Sequence, residues 1–97
     1  MDICKQLTGF CEKILQDPCV TPAHISLYLA IFLEYLIQKN PDKLNIDRDV
    51  LMNQAKISAR ATYNKCMHEL NDYGYIRYTP SFSSFVGSMV YLIPLYS

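Results

Sequence analysis

Ninety-seven residues, 51% of them hydrophobic and 19% charged, suffice for one folded domain with a real core and exclude both a disordered tail and a two-domain chain. Nine Lys plus Arg balance nine Asp plus Glu, so the whole molecule exerts no long-range pull on phosphate, and any affinity for nucleic acid has to come from local placement of charge. The start, MDICKQLTGF, lacks the basic and apolar segments of a secretion signal, and the most apolar run, Ile25 to Ile37, is interrupted by Ser26 and Glu34 and is shorter than the roughly 20 residues that cross a bilayer; a cytoplasmic protein with no membrane partner is expected.

Apolar residues at Ile3, Leu7, Phe10, Cys11, Ile14 and Leu15 recur at helical spacing and predict an amphipathic helix over about residues 3–16. Asp17-Pro18 ends it, because the residue before a proline is pushed out of the α region. Residues 1–17 lie ahead of a domain core at 21–95 and serve as support or as a subunit contact. Cys4 and Cys11 stand seven residues apart on this helix, about 10 Å along its axis, too far for a disulfide or a shared zinc ion. There is no CxxC pair, so reduced, mostly buried thiols and no metal site are expected for Cys4, Cys11, Cys19 and Cys66.

Thr21-Pro22 opens a second helix over about 22–39, with the threonine hydroxyl as N-cap and proline at the first helical position. Its apolar side chains surround nearly the whole helix, which predicts a central strut buried on several sides, with His24 a helix-start residue. Gln38 to Asp42 form a break, and Leu44-Asn45-Ile46 alternates as a short strand able to pair with a later one. Asp47 is placed to cap a short helix over 48–55 whose Val50, Leu51 and Ala55 face inward, Ile57 plugs the following turn, and Ser58 is the expected N-cap of the next helix.

That helix, about 59–73, is the informative one. Ala59, Tyr63, Cys66, Met67, Leu70 and Tyr73 fall within about 120° of arc and form its buried face. The opposite arc carries Arg60, Ala61, Asn64, Lys65 and His68, with Thr62 at its edge. Helix dipoles favour acids at the start and bases at the end, yet here Arg60 and Lys65 lead while Glu69 and Asp72 trail. A helix that enters the DNA major groove by its N-terminal end accounts for that order. The plainer alternative is a solvated face with weak Lys65–Glu69 and His68–Asp72 pairs. Gly74 stops the helix, Tyr75 to Tyr78 alternates as a strand, and 88–93, SMVYLI, has the composition of a returning strand, giving a two-stranded wing. The fold class is therefore α+β, mostly helical.

The helix-and-turn stretch NIDRDVLMNQAKIS, the following ARATYNKCMHEL, and the Leu70-x-x-x-Gly74-Tyr75-Ile76 junction resemble the winged helix-turn-helix superfamily, with an extra N-terminal helix. The finer pattern of TPAHISLYLA, ATYNKCMHELNDYGYIRYTPS and GS-x-VYL is similar to small winged-helix proteins of bacterial conjugative transposons and plasmids. The resemblance implies a sequence-specific binder of double-stranded DNA, a transcriptional regulator or accessory factor of a mobile element. It places Arg60, Thr62, Asn64, Lys65 and His68 where base or backbone contacts occur, Lys56 and Ser58 on phosphates, and Arg77, Ser81, Ser83 and Ser84 on the wing.

One departure stands out: from Tyr78 to Ser97 there is no Lys or Arg, so the wing brings no positive tip to a minor groove. Between Asp47 and Tyr78 five basic residues meet four acidic ones, which favours a homodimer on two half-sites over a single copy. The uncharged wing with Phe82, Phe85 and Val86 also suits an alternative, a winged-helix protein–protein interaction module of a replication or recombination complex. Paired carboxylates, a glycine-rich phosphate loop and a Cys–His arrangement are not evident, so neither an enzyme nor a cofactor is expected.

Overall fold

The computed structural model describes residues 1–80 and 87–97. Four helices, α1 (Ile3–Leu15), α2 (Pro22–Ile37), α3 (Arg48–Ala55) and α4 (Arg60–Asp72), combine with three strands, β1 (Leu44–Ile46), β2 (Ile76–Thr79) and β3 (Ser88–Leu92). The sheet is antiparallel in the order β1-β3-β2, so the short strand between α2 and α3 does pair with the last strand, Leu44 opposite Val90 and Ile46 opposite Ser88. On the other side of β3, Ile76 lies opposite Leu92 and Tyr78 opposite Val90. By the two-residue period of a strand, Leu44, Ile46, Ile76, Val90 and Leu92 face the helices and are buried, while Asn45, Arg77, Thr79 and Tyr91 face out.

Local chemistry accounts for most of the element ends. Asp47 caps α3 as expected, its Oδ1 accepting from the N–H groups of Asp49 at 2.9 Å and Val50 at 3.3 Å. The α4 terminus is a Schellman turn: Gly74 has φ +85°, Tyr75 N–H donates to the Leu70 carbonyl at 3.0 Å and Gly74 N–H to that of Asn71 at 3.2 Å. At α2, Thr21 occupies the N-cap and Pro22 the first turn, and the His24 Nδ1 accepts from the Thr21 N–H at 2.9 Å and lies 2.8 Å from the Thr21 hydroxyl oxygen. Lys39 and Asn40 take left-handed backbone, φ 61° and 57°, which ends α2 at Ile37, two residues before the predicted end.

Four expectations need correcting. Ser58 is not the cap of α4; Ala59 stands there, with no side chain to bond the first-turn N–H groups, and is itself exposed. Val50 points outward, leaving Leu51 and Ala55 to pack. Cys4, Cys11 and Cys19 are exposed free thiols, and Cys66 alone is buried. The fourth concerns α1, whose inward line runs through Gln6, Gly9 and Phe10 while Leu7 and Leu15 are exposed. Gln6 is buried without penalty because its amide is fully engaged: Nε2 donates to the Tyr28 hydroxyl (2.9 Å) and the Ile93 carbonyl (3.0 Å), and Oε1 accepts from Leu95 N–H (2.9 Å).

That amide sits beside the aromatic centre of the core. Phe10 and Tyr28 stack with centroids 3.9 Å apart, and Tyr75 meets both edge-on. The Tyr75 hydroxyl donates to Asp17 Oδ2 at 3.0 Å, tying the start of β2 to the loop after α1. Tyr96 closes the chain onto the same helix, its hydroxyl oxygen accepting from Asp2 N–H at 2.7 Å.

Candidate functional site

The α4 wheel drawn from the sequence holds on its outer face and in the middle of its inner face, while Ala59 is exposed and Tyr73 only half-buried. Tyr63, Cys66, Met67 and Leu70 are buried, and Arg60, Ala61, Thr62, Asn64, Lys65 and His68 are exposed. Because Ala59 cannot cap, the free N–H groups of the first turn and the positive end of the helix dipole open outward beside exposed Ser58 and Arg60. Lys56, in left-handed backbone at the end of α3, is exposed on the same turn.

The acid nearest these bases is turned away from them. Glu69 Oε2 accepts from the Tyr73 hydroxyl at 2.9 Å, and Oε1 faces His24 Nε2 at 3.2 Å. The Tyr73 bond, joined by His24, holds the Glu69 carboxyl below its ordinary 4.5, although partial burial opposes this. Among the described residues Lys65 makes no direct ion pair with Glu69, although its charge adds a smaller push in the same downward direction on the Glu69 carboxyl. His68 pairs with an aromatic ring instead of Asp72, its imidazole edge-on to Tyr78 with centroids 5.3 Å apart. Asn71 Oδ1 accepts from Tyr78 N–H at 2.9 Å, so α4 and β2 are fastened to each other at two points.

Among the described residues, His24, Cys66 and Glu69 form a group that could hold a metal ion, since their ligand atoms lie within 4.8 Å of one another. Their hydrogen bonding favours a different use. The His24 Nδ1 accepts the Thr21 N–H, so the ring proton sits on Nε2 and points at Glu69, and burial pushes the Cys66 thiol up, away from thiolate. The cluster is a strut between the start of α2 and the trailing half of α4, and it sets how α4 presents its outer face.

The sequence-predicted residues thus divide into three groups. Lys56, Ser58, Arg60, Thr62, Asn64, Lys65 and His68 share the surface made by the α3–α4 turn and α4. Arg77 does not join them; strand alternation turns it to the outer face of the sheet, beside Lys43, Thr79, Met89 and Tyr91. Ser81, Ser83 and Ser84, like Phe82, Phe85 and Val86, lie outside the described residues. Arg48 was missed: it lines a cleft of about 180 Å³ with Asn64, Tyr78 and Ser88, and its Nε lies 3.6 Å from Asp49 Oδ1. The signal was available, since pairing of β1 with β3 carries Arg48, two residues past Ile46, to the edge of α4. The cleft, whose walls also include Ile46, Tyr63 and Pro80, is smaller than the roughly 300 Å³ at which small-molecule sites begin.

No family model matches the chain, and no curated protein or solved structure matches it either. Among the described residues no helix is long and apolar enough to cross a membrane.

Proposed function

We propose that this chain is a winged helix-turn-helix protein that binds double-stranded DNA sequence-specifically, as a transcriptional regulator or accessory factor of a mobile element. In this reading α3 and α4 are the helix-turn-helix, α4 is the recognition helix, and β2 with β3 forms the wing. The element order and the β1-β3-β2 sheet are compatible with such a domain. The observation that carries the reading is the outer face of α4: Arg60, Asn64 and Lys65 lie open on its leading turns while Glu69 is drawn inward to Tyr73 and His24.

Arg60 suits a bidentate bond to guanine and Asn64 one to adenine, each discriminating by about 1–3 kcal/mol. Lys56, Ser58, Thr62 and Arg48 are exposed, and in this reading they take phosphates. The segment from Tyr78 onward carries no Lys or Arg and adds little charge, so one copy binds weakly and two copies on half-sites about 34 Å apart bind well.

The test is selection from a randomised duplex library at two salt concentrations, comparing the wild type with the Arg60→Ala, Asn64→Ala double variant. The wild type should enrich one motif with an affinity that falls steeply with salt, and the variant should lose the motif. If both enrich nothing, or the same sequences, the interaction-module reading replaces this one.

A further inference from the structure

The open face of the sheet gathers two cations around one ring. Side chains alternate along a strand, so the neighbours of buried Leu44, Ile76, Val90 and Leu92 point away from the helices. Arg77 lies opposite Tyr91 across β2 and β3. The pairing of Leu44 with Val90, carried one residue back, puts Lys43 opposite Tyr91 on the other side. The row Lys43–Tyr91–Arg77 therefore crosses the sheet, its outer members about two strand spacings, or about 10 Å, apart. Asn45, Met89 and Thr79 form the next row along. Lys43, Arg77, Thr79, Met89 and Tyr91 together line a depression of about 490 Å³.

The charges of this row have no partner in the fold. Lys43 and Arg77 are exposed, and among the described residues neither makes an ion pair or a side-chain hydrogen bond. Tyr91 is 43% exposed, and among the described residues the cation seated over a tyrosine ring is Lys13 on Tyr75, so neither Lys43 nor Arg77 covers the Tyr91 ring. The depression has no acidic residue in its lining; Asp42 lines a separate cleft that Tyr91 shares with Tyr35 and Tyr96. Two like charges beside one another gain nothing from each other, so what they lack is an anion from outside.

We propose that this row binds single-stranded nucleic acid, holding one internal nucleotide with its base stacked on Tyr91 and its two flanking phosphates on Lys43 and Arg77. Rings that stack bases beside cations that follow the backbone are the elements of single-strand recognition. The placement of charge on both sides of the ring selects this occupant. An internal nucleotide carries phosphate on both sides of its base, whereas a free nucleotide carries it on one side and reaches one cation. A duplex keeps its base faces stacked inside and offers Tyr91 none. An acidic peptide answers the cations and leaves the ring unused. The inference stands on the sheet alone and goes beyond the duplex reading, which uses α4.

The experiment titrates the full chain into a labelled thymidine strand of about eight nucleotides and follows anisotropy. Tyr91→Ala should weaken binding at least about five-fold and Tyr91→Phe should retain it, because stacking needs the ring and not the hydroxyl. The Lys43→Gln, Arg77→Gln double variant should weaken it too and lower the slope of log affinity against log salt by about 1.4, at about 0.7 per phosphate. All three positions are exposed, so circular dichroism should be unchanged. Thymidine 3′,5′-bisphosphate should compete at least about ten-fold better than thymidine 5′-diphosphate, whose phosphates share one side. The Arg60→Ala, Asn64→Ala variant should bind the strand like the wild type, so loss of duplex selection with strand binding intact counts against the α4 reading alone. No strand binding at about 1 mM protein, binding that survives Tyr91→Ala, or equal competition by the two thymidine phosphates overturns the proposal. Displacement by a glutamate peptide as readily as by the bisphosphate overturns it as well.

Discussion

Gly9 faces the C-terminal segment at a distance no side chain tolerates: a Cβ built there meets the Leu95 carbonyl oxygen at 2.0 Å and its carbon at 2.8 Å. Gly9→Ala therefore has two opposed effects. Alanine in a helix interior is favoured over glycine by about 1 kcal/mol. Against this, residues 95–97 must lift, which breaks the Leu95 N–H bond to Gln6, loosens the Ile93 carbonyl, and frees Tyr96 from Asp2. A buried amide left short of partners costs about 1–3 kcal/mol, and the loss of half-buried Leu95 adds about 1 kcal/mol. The net expectation is a loss of about 1–3 kcal/mol, read by urea unfolding monitored through circular dichroism. In a chain shortened to residues 1–94 the clash is gone, and the same substitution should stabilise by about 1 kcal/mol. Stabilisation of the full-length chain by Gly9→Ala would refute the packing of the C-terminal segment on α1.

Three further measurements bear on the fold and the strut. Asp47→Ala should cost about 0.5–2 kcal/mol by leaving two α3 N–H groups uncapped, whereas Ser58→Ala should change stability little because Ser58 caps nothing. Burial pushes the Tyr28 phenol from its ordinary 10 up to about 12 against the hydrogen bond from Gln6. Below pH 10 both states keep the proton and nothing changes; between 10 and 12 only the unfolded chain ionises, so stability falls with rising pH, by about 2–3 kcal/mol for this group, and Tyr28→Phe should flatten that part of the curve. A thiol-reactive dye should label three cysteines at once in the native protein and the fourth, Cys66, only on unfolding; a single fast-reacting thiol would contradict the exposures of Cys4, Cys11 and Cys19.

What the sequence made legible was whatever local chemistry decides. Pro22, Asp47 and Gly74 mark helix ends through backbone geometry that needs no tertiary partner, and the alternation in Leu44-Asn45-Ile46 exposed a strand only three residues long. The two faces of α4 were readable because polar and apolar residues separate there. On α2 the same method loses its phase: when nearly every position is apolar, periodicity cannot say which arc stays open, and the exposed Leu29–Ile37 stripe was unreadable. Gln6 and Glu69 show the second limit. The partners of Gln6 lie 22 to 89 positions away, and Glu69, besides its near neighbour Tyr73, meets His24 from 45 positions away, so only the folded chain reveals that one is core and that the other reaches across to α2.

We propose that the outer face of α4 is the surface that meets DNA. Amide chemical-shift mapping of isotope-labelled protein, titrated with the selected duplex, tests it most directly. The large shifts should fall on Arg48, Lys56, Ser58 and the Arg60–His68 face, with Leu29, Leu33 and Leu36 unmoved at protein concentrations where the chain's oligomeric state is constant. Shifts confined to α2 or to the outer sheet face around Lys43 and Arg77, with α4 silent, would contradict it.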